Sequence, residues 1–213
     1  LMCRRVFILG STGSIGTSAI EVICHLNELS PDSYNVVGLA AKTSKELLLK
    51  QAHALEASAI SLSSETIDYK NFSNSAVELL SEHAQQGDLV IAAMVGFDGI
   101  APVLKAIEIG CDIALANKEC LVAAGELIMN EVDGSSSTMI PIDSEHSAIY
   151  QALGHNSSKA IQKVILTASG GSLRDFSNHG IKNATVDDVL NHPTWDMGQK
   201  VTVDSASLMN KGL

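Results

Sequence analysis

Short apolar runs alternate with longer amphipathic stretches through the first half of the chain. Val6-Phe7-Ile8-Leu9 is apolar at every position, as expected of a strand covered on both faces. Residues 14–29 then carry apolar positions at helical spacing. A second apolar run at 36–40 leads into a helix over 46–55, and a third run lies at 59–62. Runs at 88–92 and 112–115 are separated by a helix near 102–109. Strands spaced by helices require crossovers, so the pattern predicts a doubly wound parallel sheet, an α/β class.

Gly134-Ser135-Ser136-Ser137 interrupts the alternation. Beyond it the pattern predicts a strand at 139–142, a helix near 147–153 and a strand over 160–167 that runs into Ser169-Gly170-Gly171. The change of domain falls within 134–144, giving residues 1–143 and 144–213. The chain has no internal repeat and no low-complexity tract.

Composition narrows the classes. The 213 residues bound one large domain or a domain and a half. With 46% apolar but only 4% aromatic residues, the core must be built from Ala, Ile, Leu and Val. A net charge of −10 argues against nucleic acid or an anionic membrane as partner. A phosphorylated small molecule remains open, because local cations and helix N-termini can hold it. Cys3, Cys24, Cys111 and Cys120 form no C-x-x-C pair and show no zinc spacing, which reads as free thiols in a reducing cytoplasm. No apolar run is as long as a membrane span. The chain enters its first strand with no signal-peptide core before it, so a cytoplasmic protein of bacterial type is expected. A plastid protein that has lost its transit peptide is the other reading.

Gly10-Ser11-Thr12-Gly13-Ser14-Ile15-Gly16 sits between the first strand and the first helix. Glycine lets the backbone turn sharply and approach a phosphate, and the helix N-terminus offers N–H donors, so the turn predicts dinucleotide binding. The second strand ends in Ala41-Lys42-Thr43-Ser44, with a cation, two hydroxyls and no carboxylate to repel a 2′-phosphate. That favours NADP over NAD; a solvated loop lysine is the plainer reading. Asn117-Lys118-Glu119 follows a strand and is placed either for cofactor and substrate or as an ordinary cap and first turn. Asp143-Ser144-Glu145 offers either two hard oxygen ligands for Mg2+ or Mn2+, or another helix cap. His146 beside them reads as structural. Ser169-Gly170-Gly171-Ser172 is an anion cradle or a plain loop. Residues 192–198 read as a loop in which Trp195 and Met197 either cover a ligand or anchor a core. Ser205, Asn210 and Lys211 have the chemistry of phosphate ligands, and their element is unfinished at Leu213, as in a truncated enzyme.

Taken together, these motifs resemble the 1-deoxy-D-xylulose 5-phosphate reductoisomerase family. The resemblance rests on the glycine turn, on Leu115-Ala116-Asn117-Lys118-Glu119, on Pro141-Ile142-Asp143-Ser144-Glu145-His146, on Thr167-Ala168-Ser169-Gly170-Gly171 and on the tail from His192 to Leu213. It implies a Rossmann-like domain that binds NADPH, followed by the start of an α+β catalytic domain. Thr12, Gly13, Ser14 and Ile15 then hold the pyrophosphate side, and Asn117, Glu119 and Gly198 contact the cofactor. Lys118, Ser144, Ser169, His192, Trp195, Ser205, Asn210 and Lys211 take substrate positions, with Ser169, Ser205, Asn210 and Lys211 at its phosphate. Asp143 and Glu145 become metal ligands, and Lys118, Glu145 and His192 the catalytic candidates. Trp195 belongs to a loop that closes over the substrate. Ala41-Lys42-Thr43-Ser44 stands where the family usually has an alanine-glycine-x-asparagine run, with Lys42, Thr43 and Ser44 as the cofactor positions.

The implied reaction is an isomerisation and NADPH reduction of 1-deoxy-D-xylulose 5-phosphate to 2-C-methyl-D-erythritol 4-phosphate, in non-mevalonate isoprenoid precursor synthesis, by a homodimer. The family's third metal carboxylate would follow Leu213, so residues 1–213 are expected to be inactive alone. Two other readings stand beside this one: another NADP-dependent dehydrogenase of related fold, and a non-catalytic dinucleotide-binding fragment.

Overall fold

The computed structural model describes residues 3–154, 159 and 161–213. The chain divides into two compact units, Leu1–Asp143 and Ser144–Leu213.

The first unit is a seven-stranded sheet, parallel throughout, in the order β4-β3-β2-β1-β5-β6-β7. Its strands are β1 (Arg4–Leu9), β2 (Tyr34–Ala41), β3 (Ala59–Leu62), β4 (Phe72–Ser73), β5 (Leu89–Ala92), β6 (Asp112–Leu115) and β7 (Met139–Pro141). The chain winds outward from β1 to β4, then crosses back to place β5 on the other side of β1. The direction of winding therefore reverses beside β1, where open α/β sheets leave a crevice at the carboxyl ends of their strands. This is the doubly wound, Rossmann-like architecture that the apolar pattern predicts.

Both faces of the sheet are covered. Val6 and Ile8 pack beneath α1 (Ser14–Leu29) and α2 (Lys45–Ala54), with Ile23, Leu48 and Ala52. Phe7 and Leu9 point the other way, into Leu79, Val103, Ile107 and Ile128 of α3 (Ala76–His83), α4 (Ile100–Ile109) and α5 (Lys118–Asp133). The two-residue period of a strand thus sorts one apolar run into two cores. A register shift lets β2 accommodate Phe7: Val6 pairs with Val36, but Phe7 pairs with Gly38. A Cβ on Gly38 would meet the Phe7 ring at 2.5 Å. At the amino ends of the strands, Arg5 bonds the buried Asp88 at 3.0 Å and donates to the His83 carbonyl at 2.6 Å. Arg4 pairs with Asp112 at the start of β6.

Periodicity leaves the region between 62 and 88 unassigned. The structure places β4 and α3 there. Ser75 caps α3 by accepting from Glu78 N at 3.1 Å, and Ala76, Leu79 and Leu80 face inward at helical spacing. No helix of the described residues is long and apolar enough to cross a membrane.

The second unit contains α6 (Ser144–Leu153), α7 (Asn178–Lys182), α8 (Val186–Leu190), α9 (Gln199–Ala206) and α10 (Met209–Gly212). The strand expected over 160–167 does not form: residues 161–167 have no regular structure, and Ala160 lies outside the described residues. A strand needs a neighbour for its ladder hydrogen bonds, and no described segment pairs with this one. Its apolar Val164, Ile165 and Leu166 are exposed. Together with Ile149 and Leu153 of α6 they line an open cleft of about 620 Å³. Apolar composition predicts a strand there, but burial does not follow.

Cys111 and Cys120 are buried in the first unit, whereas Cys3 and Cys24 are exposed. Burial, with Asp88 and Asp112 near one thiol and Glu119 near the other, pushes both buried thiols up to about 11. At pH 8 only about one in a thousand of either is thiolate. A thiol reagent at pH 8 is expected to label Cys3 and Cys24 quickly and the buried pair only after denaturation. Rapid labelling of Cys111 or Cys120 in the native protein would show that the core around β6 opens easily.

Candidate functional site

β1 delivers the chain to Gly10, whose φ of +87° is left-handed. A Cβ there would meet the Ala93 carbonyl oxygen at 2.5 Å. Both the conformation and the clearance therefore demand glycine. Gly10 N and Ser11 N donate to one acceptor, the Ala40 carbonyl at the end of β2, at 2.8 and 3.0 Å. Gly13 N closes the turn on Gly10 O at 3.1 Å. Gly16 lies one turn into α1, and a Cβ there would meet Gly10 O at 2.2 Å. Gly13 itself has no neighbour closer than 3.4 Å. Two of the three glycines let the helix, the turn and β5 touch; the middle one leaves open space.

That packing brings the start of α1 to the crevice beside β1. Gly13 is its N-cap, no side chain caps it, and its first turn holds no acidic residue. Its first N–H groups and the positive end of its dipole are left for an anion.

The end of β2 lies beside the turn, since Ala40 bonds it. Thr43 and Ser44 are exposed, and Ser44 occupies the N-cap of α2 without a side-chain cap bond. Lys42 Nζ bonds Asp98 Oδ2 at 2.9 Å. That bond, with the attraction of the carboxylate, raises the Lys42 ammonium above the ordinary lysine value. The four residues 41–44 carry no carboxylate, but the short 3-10 turn Gly96–Gly99 supplies one to the same place. Sequence reasoning missed Asp98, because nothing near it in the chain marks its proximity to Lys42.

At the end of β6, Asn117 is a helix cap. Its Oδ1 accepts from Cys120 N at 3.1 Å, and its Nδ2 donates to Gly96 O at 2.7 Å. One carboxamide thus caps α5 and ties down the loop that carries Asp98. Lys118 is 5% exposed, and its ammonium lies 3.3 Å from Asp143 Oδ2. Two residues singled out by sequence are therefore an ion pair at the carboxyl edge of the sheet.

The second unit gathers two further groups. Ser169 Oγ lies 3.1 Å from His192 Nε2. His192 Nδ1 accepts from Thr194 N at 3.1 Å and Trp195 N at 3.0 Å. Those bonds occupy the Nδ1 lone pair, so the neutral ring carries its proton on Nε2 and donates to Ser169 Oγ. The serine hydroxyl then keeps its own proton for another acceptor. Gly170 and Gly171 follow with φ of +93° and +71°. A Cβ on Gly171 would meet Ser205 O at 2.3 Å, so the Gly-Gly turn packs directly on α9. The Ser172 hydroxyl donates to Val189 O at 2.7 Å.

In the other group, Glu145 Oε1 accepts from Lys211 Nζ at 2.5 Å and from Asn210 Nδ2 at 3.3 Å. Ser144 Oγ donates to Glu145 Oε2 at 3.3 Å. Trp195 is 60% exposed in the irregular stretch before α9, which favours the loop over a core anchor. Gly198 is the N-cap of α9, with open space at its α-carbon. Among the described residues no three His, Cys, Asp or Glu side chains converge.

Comparison with known proteins supplies the context. A family profile described as 1-deoxy-D-xylulose 5-phosphate reductoisomerase matches residues 6–125, and one for the C-terminal domain of that enzyme matches residues 139–213. The chain is 43% identical over 218 residues to the 1-deoxy-D-xylulose 5-phosphate reductoisomerase of Thermoanaerobacter sp. strain X514, covering 98% of this chain and 56% of that protein. It is 41% identical to that of Clostridium botulinum strain Alaska E43, covering 99% of this chain and 57% of the relative. A DOX-P reductoisomerase solved with NADPH, fosmidomycin and magnesium superposes with a TM-score of 0.84 at 36% identity, over 98% of this chain and 56% of that one. The Zymomonas mobilis enzyme solved with NADPH gives 0.79 at 33% identity, over 98% of this chain and 55% of its own. The chain spans about half the length of these relatives. By sequence and by fold, it belongs to the 1-deoxy-D-xylulose 5-phosphate reductoisomerase family.

Proposed function

We propose that this chain carries the NADPH site and part of the substrate site of an enzyme that isomerises and reduces 1-deoxy-D-xylulose 5-phosphate to 2-C-methyl-D-erythritol 4-phosphate. The observation that carries the reading is the uncapped N-terminus of α1, held against the Gly10 turn at the switch point of the sheet. A pyrophosphate is the anion such a turn suits. Thr12, Gly13, Ser14 and Ile15 are its proposed contacts. Lys42, Thr43 and Ser44 face the adenosine 2′-phosphate, with the Lys42 ammonium exchanging Asp98 for phosphate. Asn117, Glu119 and Gly198 are assigned to the rest of the cofactor. Each end of the Asn117 carboxamide makes one bond that holds the loop, which leaves a second N–H and a second lone pair for the cofactor.

Asp143 and Glu145, two apart in the chain, are proposed to supply oxygen ligands to Mg2+ or Mn2+. The donor chemistry fits, since each carboxylate already lies against an ammonium, Lys118 and Lys211 respectively. When bound, the ion supplies Lewis-acid polarisation of the substrate carbonyl. A pair of carboxylates needs further oxygen donors to offset the ion's lost hydration. The chain's own groups do the remaining work. Ser169 keeps a hydroxyl proton for a phosphate oxygen because His192 donates to it. Ser205, Asn210 and Lys211 belong to the same phosphate-binding assignment. Trp195, on its exposed loop, excludes water above the substrate, and Lys118 sets charge next to Asp143. The same reading makes the protein a cytoplasmic homodimer.

Two measurements test this. NADPH is expected to bind roughly tenfold or more tightly than NADH, and Lys42→Ala to remove most of that preference. Equal dissociation constants for the two cofactors would overturn the 2′-phosphate assignment. Asp143→Asn is expected to weaken Mg2+ binding by at least about tenfold while NADPH affinity stays within about twofold. Unchanged metal affinity would leave Asp143 as only the partner of Lys118.

A further inference from the structure

Gln51 lies on α2, outside every motif named so far, and only 8% of it is exposed. Its Nε2 donates to the Ser11 carbonyl at 2.9 Å, a buried bond between a helix side chain and the glycine turn. That bond falls on a particular peptide plane. The plane before Gly10 is held by Gly10 N on Ala40 O. The next is held at both ends, by Ser11 N on Ala40 O and by Gly13 N on Gly10 O. The last of these bonds also fixes the plane before Gly13. The Ser11–Thr12 peptide alone has no backbone bond among the described residues. Gln51 is what holds it.

The consequence follows from peptide geometry. The turn has no cis bond, and in a planar trans peptide the C=O and the N–H point in opposite directions. With the Ser11 carbonyl turned inward onto Gln51, the Thr12 N–H is turned outward, to the side where α1 presents its open N-terminus. No described residue accepts from it. We propose that Gln51 is a positioning residue: its carboxamide fixes the Ser11–Thr12 peptide so that the Thr12 N–H is aimed at the pyrophosphate of the cofactor. This rests on the NADPH reading above and adds a residue that never touches the ligand.

The choice of side chain fits. A carboxylate at position 51 would repel the Ser11 carbonyl, and a hydrocarbon would leave that carbonyl unpaired in a buried place. Glutamine is not the most stabilising filler, because its Oε1 and the Ser11 hydroxyl are buried without a hydrogen-bond partner, a cost to folding. What it gives in return is direction.

The test uses wild-type protein with Gln51→Met, which keeps the length and loses the donor, and Gln51→Glu. Dissociation constants are measured for NADPH and for adenosine 2′-monophosphate, which has no pyrophosphate. Gln51→Met is expected to weaken NADPH about tenfold or more and to leave adenosine 2′-monophosphate within about twofold. Gln51→Glu is expected to bind NADPH poorly at pH 8 and to regain affinity as the pH falls, relative to wild type, because the protonated acid donates again. Unchanged NADPH affinity in Gln51→Met, parallel losses for both ligands, or no recovery in Gln51→Glu each overturns the proposal. If the variants do not fold, the wild-type Thr12 amide decides. Its nitrogen-15 NMR resonance should move downfield on NADPH binding, and an unmoved resonance overturns the assignment. A wild-type protein that binds no NADPH overturns the cofactor reading itself, a result distinct from all of these.

Discussion

The first unit depends on how closely three pieces of backbone approach one another. Gly10 lies against the Ala93 carbonyl after β5, and Gly16 lies against Gly10, with room for no side chain at either. This contact sets where α1 begins. The helix cannot start further from the sheet without losing the turn's bonds to Ala40, nor can it carry a side chain at the contact. Its uncapped end is therefore fixed at the point where the strand order reverses. An open helix end in solution would be ordinary; one held here, at the crevice of a doubly wound sheet, is where the proposed cofactor site lies.

Within each unit, charge is arranged in pairs. Lys42 meets Asp98, Lys118 meets Asp143, and Lys211 meets Glu145. In a chain of net charge −10, these three lysines are oriented by carboxylates. The exposed Lys42–Asp98 pair is worth little by itself and is readily exchanged. The nearly buried Lys118–Asp143 pair is different in kind, because removing either partner strands the other charge.

The first unit was legible because its strands are buried on both faces, so that runs such as 6–9 and 59–62 are apolar with little or no interruption. The glycine turn was legible because sterics dictate residue type at Gly10 and Gly16. Contacts between loops distant in sequence were not. Asp98 on Lys42 and Gln51 on Ser11 leave no local trace, since any polar residue at those positions reads as solvated. Asn117 was readable both as cap and as ligand contact, and its hydrogen bonds show the cap. The apolar segment at 161–167 misled, because strand propensity describes what a segment does when paired. Ser169, His192 and Ser205 stand out in the sequence as polar residues, and the structure brings the first two to 3.1 Å of each other. Their arrangement depends on the Gly170 and Gly171 backbone, which composition alone does not reveal.

The proposed function rests above all on the backbone of the Gly10 turn and the first turn of α1 acting as an anion cradle. Amide hydrogen exchange of the protein with and without NADPH tests it directly. The N–H groups of Thr12, Ser14, Ile15 and Gly16 have no acceptor among the described residues, so they should exchange quickly in the free protein. Saturating NADPH should slow them by about tenfold or more. Unchanged exchange at these four positions, with NADPH bound and protection appearing elsewhere, would contradict it.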